Sequence, residues 1–256
     1  MLKPLTSRNI KIITLIVIVF IVIFSLIYLY IWRSASNDYE QAIGHSQTMS
    51  SAHDTVDEKL QSISTSTDIN DNLVSTLEKA AGDYKDNLTA LENSTVVRSD
   101  SSVKAIYNQH KQSLTAYVQS SESLVASMKK YRSLLITCTE LISKVETIAT
   151  EDAFDDAAKD CKAAVEGAKP TSSNPFDEQF LSEYVPLAEK LLTAYRQVMV
   201  KADSGADSIS FNDISRVEEN INTLSNKEID LSLKAPTNSL NQINMELRKQ
   251  KSAVFR

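Results

Sequence analysis

Cys138 and Cys161 are the only two cysteines in the 256-residue chain, and the stretch they enclose, CTELISKVETIATEDAFDDAAKDC, is the first place to look for chemistry. Such a pair could serve as a redox couple, half of a metal site, two buried thiols or a structural disulfide. Redox catalysis needs a stabilised, reactive thiolate, and the chain has no CxxC spacing of the kind that supplies one. Metal binding needs further ligands, but His45, His53 and His110 are dispersed, and no HxxxH or CxxC spacing sets two ligands on one helical face.

Other constellations are equally poor in reactive chemistry. Gly44, Gly82, Gly167 and Gly205 are scattered too widely to build a phosphate-cradling loop. Glu151, Asp152, Asp155 and Asp156 lack the glycine and terminal glutamate of a calcium loop and read better as the acidic first turn of a helix. Asn87 (NLT) and Asn93 (NST) fit the glycosylation sequon. Tyr84, Tyr107, Tyr117 and Tyr131, with Tyr184 and Tyr195 later, recur at helical spacing, as core residues do; a ligand lining is the alternative. The expectation is a non-enzymatic protein with no catalytic, cofactor-binding or metal-binding residue and no cofactor.

The compartment of the cysteines is set by the N-terminus. Residues 12–32, IITLIVIVFIVIFSLIYLYIW, are 21 consecutive uncharged residues, enough at about 1.5 Å each to span the ~30 Å hydrocarbon core of a bilayer. Lys3, Arg8 and Lys11 lie before this run, and Tyr28, Tyr30, Trp32 and Arg33 lie at its other end. Basic residues mark the cytoplasmic side and amphipathic rings favour the interface. The reading is a cytoplasmic segment 1–11, a signal-anchor helix 12–32 in the cell membrane, an extracytoplasmic body 33–235 and a basic amphipathic tail 236–256. A cleaved leader is the competing reading, since Ser34–Ala35–Ser36 is acceptable to a signal peptidase. Both export the body. From Arg33 onward 24 basic residues face 33 acidic ones, a net charge of −9, which excludes nucleic acid as a partner.

Few glycines and five prolines leave long uninterrupted segments, and these carry steps of three and four that define helices. The first seam runs Tyr39, Ala42, Ser46, Met49, His53, Val56, Leu60, Ile63; the second runs Val74, Leu77, Ala81, Tyr84, Leu88, Leu91. Thr67 or Asp68 is the expected cap between them, and NSTVVRSDSS is an expected turn. A third seam holds one register from Val103 through Tyr107, Leu114, Tyr131, Leu135, Cys138 and Ile142 to Ala149, with Leu134 and Leu141 on a second row. Thr150 then caps a helix ended by Gly167 and Pro170. Another helix is expected over 176–202, kinked or restarted at Pro186, and a last one from a capping box at Ser210–Asp213 through Leu231 to Pro236. No two-residue alternation predicts a strand. The fold class is all-α: a transmembrane helix leading into an elongated antiparallel bundle with coiled-coil-like packing.

Counted from a turn at Thr150, Cys138 and Cys161 each lie about eleven residues up their own helices, roughly 17 Å, and are therefore level. An antiparallel hairpin brings them together, and an exported location lets a disulfide persist. Two buried thiols are the alternative reading, which a thiol count on denatured, unreduced protein decides.

These features point to a surface or envelope protein that offers helical faces for protein contact or self-association, with the lipid bilayer as its other partner through residues 12–32. The alternative is an extracytoplasmic sensory or small-ligand-binding bundle. An N-terminal span followed by an exported bundle resembles, in layout, the outer part of bacterial chemoreceptors and sensor kinases, which return through the membrane; no second apolar run of that kind appears here. In layout it is also similar to LemA-type anchored bundles. An internal pocket lined by tyrosines and polar groups would favour the ligand reading over the contact reading.

Overall fold

The computed structural model describes residues 7–148, 150–171, 173–205 and 210–254, without the side chains of residues 7–17 and Glu146. Lys3 lies outside the described residues, as do Ala149 and the side chains of Arg8 and Lys11. The protein is all-α, with no strand among the described residues. Its first helix, α1 (Ser7–Gln61), is continuous through the apolar run. That run is long and apolar enough to cross a membrane. From Ile18 through Ile31 it is exposed, with Tyr28 at 69% and Tyr30 at 77%.

Beyond Trp32 the same helix joins the bundle, and all eight residues of its expected seam, Tyr39 to Ile63, are buried. Helix α2 (Asp71–Asn93) returns along α1 with its own seam buried. Its cap is Asn70, whose side chain accepts from Leu73 N at 3.0 Å. Asp68 instead closes the preceding 3-10 turn, accepting from the Ser64 and Thr65 amides at 2.8 and 2.9 Å. The expected turn at NSTVVRSDSS contains a short helix, α3 (Thr95–Ser99), because Val96 and Val97 are drawn into the core. Asp100 then caps α4 (Ser101–Lys144), accepting from Ser102 N and Val103 N, while its other oxygen accepts from the Tyr39 hydroxyl at 2.5 Å.

Helix α4 is shared by two tiers. Its first half packs on α2 and on α9 (Thr237–Val254), and with α1 these form a four-helix tier next to the apolar segment. Its second half runs past the far ends of α1 and α2 into a distal tier. There it meets α6 (Lys159–Gly167), which follows α5 (Glu151–Ala157) after a break at Ala158. Thr150 caps α5 as expected, accepting from Ala153 N at 3.3 Å. Helix α7 (Ser182–Asp203) and α8 (Asn212–Ser225) complete that tier. A single π turn, Asp177–Leu181, precedes α7, and α-helical pairing restarts at Ser182, the residue whose carbonyl Pro186 leaves without an i+4 donor. Gly205, at φ +71°, takes the left-handed conformation that ends α7.

Two expectations fail in α8. The helix starts at Asn212, and its N-cap residue, Phe211, offers no side-chain cap; Ser210 Oγ reaches only Asn212 N, at 3.4 Å, so no capping box forms. It also ends at Ser225, not near Pro236. Residues 226–236 form a nonhelical strap, tied by Ile229 N to Ser64 O at 3.0 Å and by a pair of bonds between the Gln179 side chain and the Asp230 backbone. Ile229 and Leu231 are buried, Leu231 from the strap and not from a helix face. The strap crosses the junction of the tiers and delivers α9 to α1, where Leu240, Ile243 and Leu247 are buried and Lys251 meets Glu40 at 2.7 Å.

Candidate functional site

An aromatic cluster joins the two tiers. Phe176, Phe180 and Tyr184, spaced by four residues, stack with centroids 5.2 and 5.0 Å apart. Tyr131 of α4 meets all three nearly edge-on at 5.1–5.7 Å, the arrangement the ring quadrupoles favour. The Tyr131 hydroxyl points at Ser66 Oγ at 3.4 Å, and Ser66 donates to Ser225 O at 3.2 Å, so the turn before α2 is stitched to the end of α8. Desolvation holds the Tyr131 and Tyr184 hydroxyls protonated well above their ordinary range.

Above this cluster the distal core is not solid. Helix α4 approaches α6 closely and α7 approaches α8 closely, and between these two pairs lies a cavity of about 280 Å³. Leu135, Cys138 and Ile142 of the third seam line it. Their incomplete burial, with Ile142 37% exposed, has this cause: beyond Tyr131 the neighbours of α4 change from α2 and α9 to α6, and the buried row moves to Leu134 and Leu141, about 100° around the helix. The opposite wall is Ala188 and Leu191 of α7 with Ile221 of α8.

The polar groups of the cavity are few. Tyr195, 9% exposed, donates its hydroxyl to Glu218 Oε1 at 2.9 Å, and Thr139 and Asn222 complete an exposed rim. Burial first, and the Glu218 carboxylate second, push the Tyr195 hydroxyl up to about 12. Among the described residues no Lys, Arg or His lines the space. Tyr184 and Tyr195 are thus both core residues and cavity lining. Glu218 and Asn222 escaped sequence reasoning because they flank the Val217–Ile221 stripe of α8, where a charged residue ordinarily faces solvent.

Cys138 and Cys161 form part of the cavity wall. Their Cα atoms are 4.8 Å apart and their sulfurs lie at disulfide distance, with Cys161 buried and Cys138 partly buried. The level placement expected from the hairpin count is realised.

The histidines do not converge, and among the described residues no group of three or more His, Cys, Asp or Glu is gathered where it could hold a metal ion. Each histidine instead joins helices of the proximal tier. His45 donates from Nδ1 to Asn87 Oδ1 at 2.9 Å, His53 lies between the Tyr117 hydroxyl at 3.1 Å and Thr237 Oγ1 at 3.2 Å, and His110 Nε2 meets Gln242 Oε1 at 2.8 Å. Of the expected interface residues, Tyr28, Tyr30 and Arg33 are exposed and Trp32 is half-buried where α1 enters the body.

The fold and site define a two-tier helical bundle on an apolar N-terminal helix, with an apolar, partly open cavity in the tier farther from that helix. Comparison with protein families, with curated proteins and with solved structures finds no match.

Proposed function

We propose that this chain is a membrane-anchored, non-enzymatic helical module that holds a small ligand in its distal tier outside the cytoplasm. The observation that carries the reading is the ~280 Å³ cavity between α4, α6, α7 and α8. It is apolar with a few convergent polar groups, the usual make-up of a ligand site, and near the small end of the roughly 300–1,000 Å³ range of such sites. The anchor rests on the exposed apolar stretch of α1, and the orientation on basic residues before it and aromatic residues after it. Export makes the Cys138–Cys161 pair a disulfide, and that bond braces one wall of the cavity.

Contact with a protein partner has less to rest on. The large exposed apolar side chains of the body, among them Ile136, Phe211 and Met245, are spread over separate elements, and single exposed apolar residues are ordinary. A thermal-shift screen of small apolar amines, alcohols and acids against the full chain in lipid nanodiscs tests the ligand reading. A ligand at about 100 times its Kd stabilises by about 2.7 kcal/mol, a clear rise in unfolding temperature that an Ala188→Phe cavity-filling variant should lose. If no compound class shifts the native chain at millimolar concentration, the reading fails. Crosslinking in intact cells tests partner contact separately.

A further inference from the structure

We propose that the distal cavity selects a cationic amine, a molecule of roughly ten non-hydrogen atoms that pairs an apolar body with one positively charged nitrogen. The inference rests on the reading of the cavity as a ligand site. Its size follows from the volume, since an apolar cavity of about 150 Å³ holds benzene and this one is about 280 Å³.

The charge preference follows from what is present at the polar end and what is missing. Among the described residues Glu218 is the only ionisable carboxylate in the lining, and no Lys, Arg or His accompanies it. Among the described residues it forms no ion pair. It takes one hydrogen bond, from the Tyr195 hydroxyl at 2.9 Å. A carboxylate has room for about four, so acceptor capacity remains for an ammonium N–H. Tyr195 holds the carboxylate at the cavity and, with Tyr184, adds aromatic surface to its lining. An anionic ligand would bring a second negative charge against Glu218 with no counter-charge in the wall. A neutral ligand would cover the carboxylate without compensating it. The net charge of −9 from Arg33 onward favours the approach of cations in the same sense.

The test uses three probes that share a phenylethyl body, 2-phenylethylamine, 2-phenylethanol and 3-phenylpropionate, titrated calorimetrically into the full chain in nanodiscs with empty nanodiscs subtracted. The amine should bind about tenfold or more tightly than the alcohol, as expected for a hydrogen bond to a charged group, and the carboxylate weakest. Glu218→Gln should bring the amine to the level of the alcohol and leave the alcohol unchanged. Tyr195→Phe should weaken the amine more than the alcohol, and gives a second handle should Glu218→Gln fail to fold. Ala188→Phe should abolish binding of all three. If amine and alcohol bind the native chain equally, or the carboxylate binds best, the amine assignment is wrong while the cavity remains a ligand site. If no probe binds, or Ala188→Phe leaves binding intact, the cavity reading falls with it.

Discussion

Replacing both Cys138 and Cys161 by alanine, or reducing the pair, should loosen the distal hairpin while leaving the proximal tier intact. The two residues are 23 apart in sequence, and in the chain-entropy model a closed loop of that length lowers the denatured-state entropy enough to stabilise by roughly 3 kcal/mol at 25 °C. That is about two orders of magnitude in an opening equilibrium. The short second arm makes the brace matter: α5 and α6 run only from Glu151 to Gly167 and are broken at Ala158, so few buried side chains (Phe154, Ala158, Cys161, Val165) hold them to α4 and α7. The first assay is a thiol count on denatured, unreduced protein, which should find none. The second is amide hydrogen exchange with and without reductant. Protection in 159–167 should fall by about a hundredfold, whereas α1 and α2, which pack on the first half of the bundle, should change little. Two titratable thiols in the unreduced chain would refute the covalent brace. Unchanged exchange in α6 after reduction would refute the energetic argument even if the bond exists.

Four other expectations follow from the tiered packing. Phe180→Ala removes a fully buried ring that stacks on Phe176 and Tyr184 and meets Tyr131; denaturant unfolding should show a loss of about 3–5 kcal/mol. His53→Phe leaves the Tyr117 hydroxyl and Thr237 Oγ1 without their shared partner, and the cost of about 1–3 kcal/mol should be read as faster exchange at the start of α9. Hydrogen bonding to Arg132 holds the Asp71 carboxyl below its ordinary value of 3.8. The stability it contributes is therefore present above that value and lost as pH falls through the lower folded one. Asp71→Asn should lower the unfolding temperature at pH 7, and the variant and native curves should converge in strong acid. In a glycosylating host Asn87 should stay unmodified, because its amide is engaged on both faces, by His45 and by Asp83 O at 2.8 Å; a glycopeptide carrying Asn87 would contradict the packing of α1 on α2.

Much of the fold was legible because it is written within single helices. The α1 and α2 seams are buried residue for residue, since two long antiparallel neighbours keep one face covered along their length. The third seam was right to Tyr131, apart from the partly exposed His110, and then lost its place, because periodicity records that a face is apolar and not which neighbours cover it. Capping was mixed for a related reason. Thr150 caps α5 as expected, but α2 is capped by Asn70 and not by Thr67 or Asp68, the Ser210 box did not form, and the 226–236 segment, read as helix through Leu231, instead ties across the tier junction. Of the site, Cys138, Cys161, Tyr184 and Tyr195 were visible as residues at particular levels on their helices; Glu218 was not.

The sequence by itself determined the helical content, the apolar N-terminal segment and the level pairing of the two cysteines, because each depends on spacing along one helix or across one short turn. Only the tertiary structure decided that α4 serves two tiers, that residues 237–254 dock on α1, and that a cavity opens between the α4–α6 and α7–α8 pairs. A void is a property of how several surfaces fail to meet. No single helix carries that information, and so the brace could be foreseen from spacing while the space it walls could not.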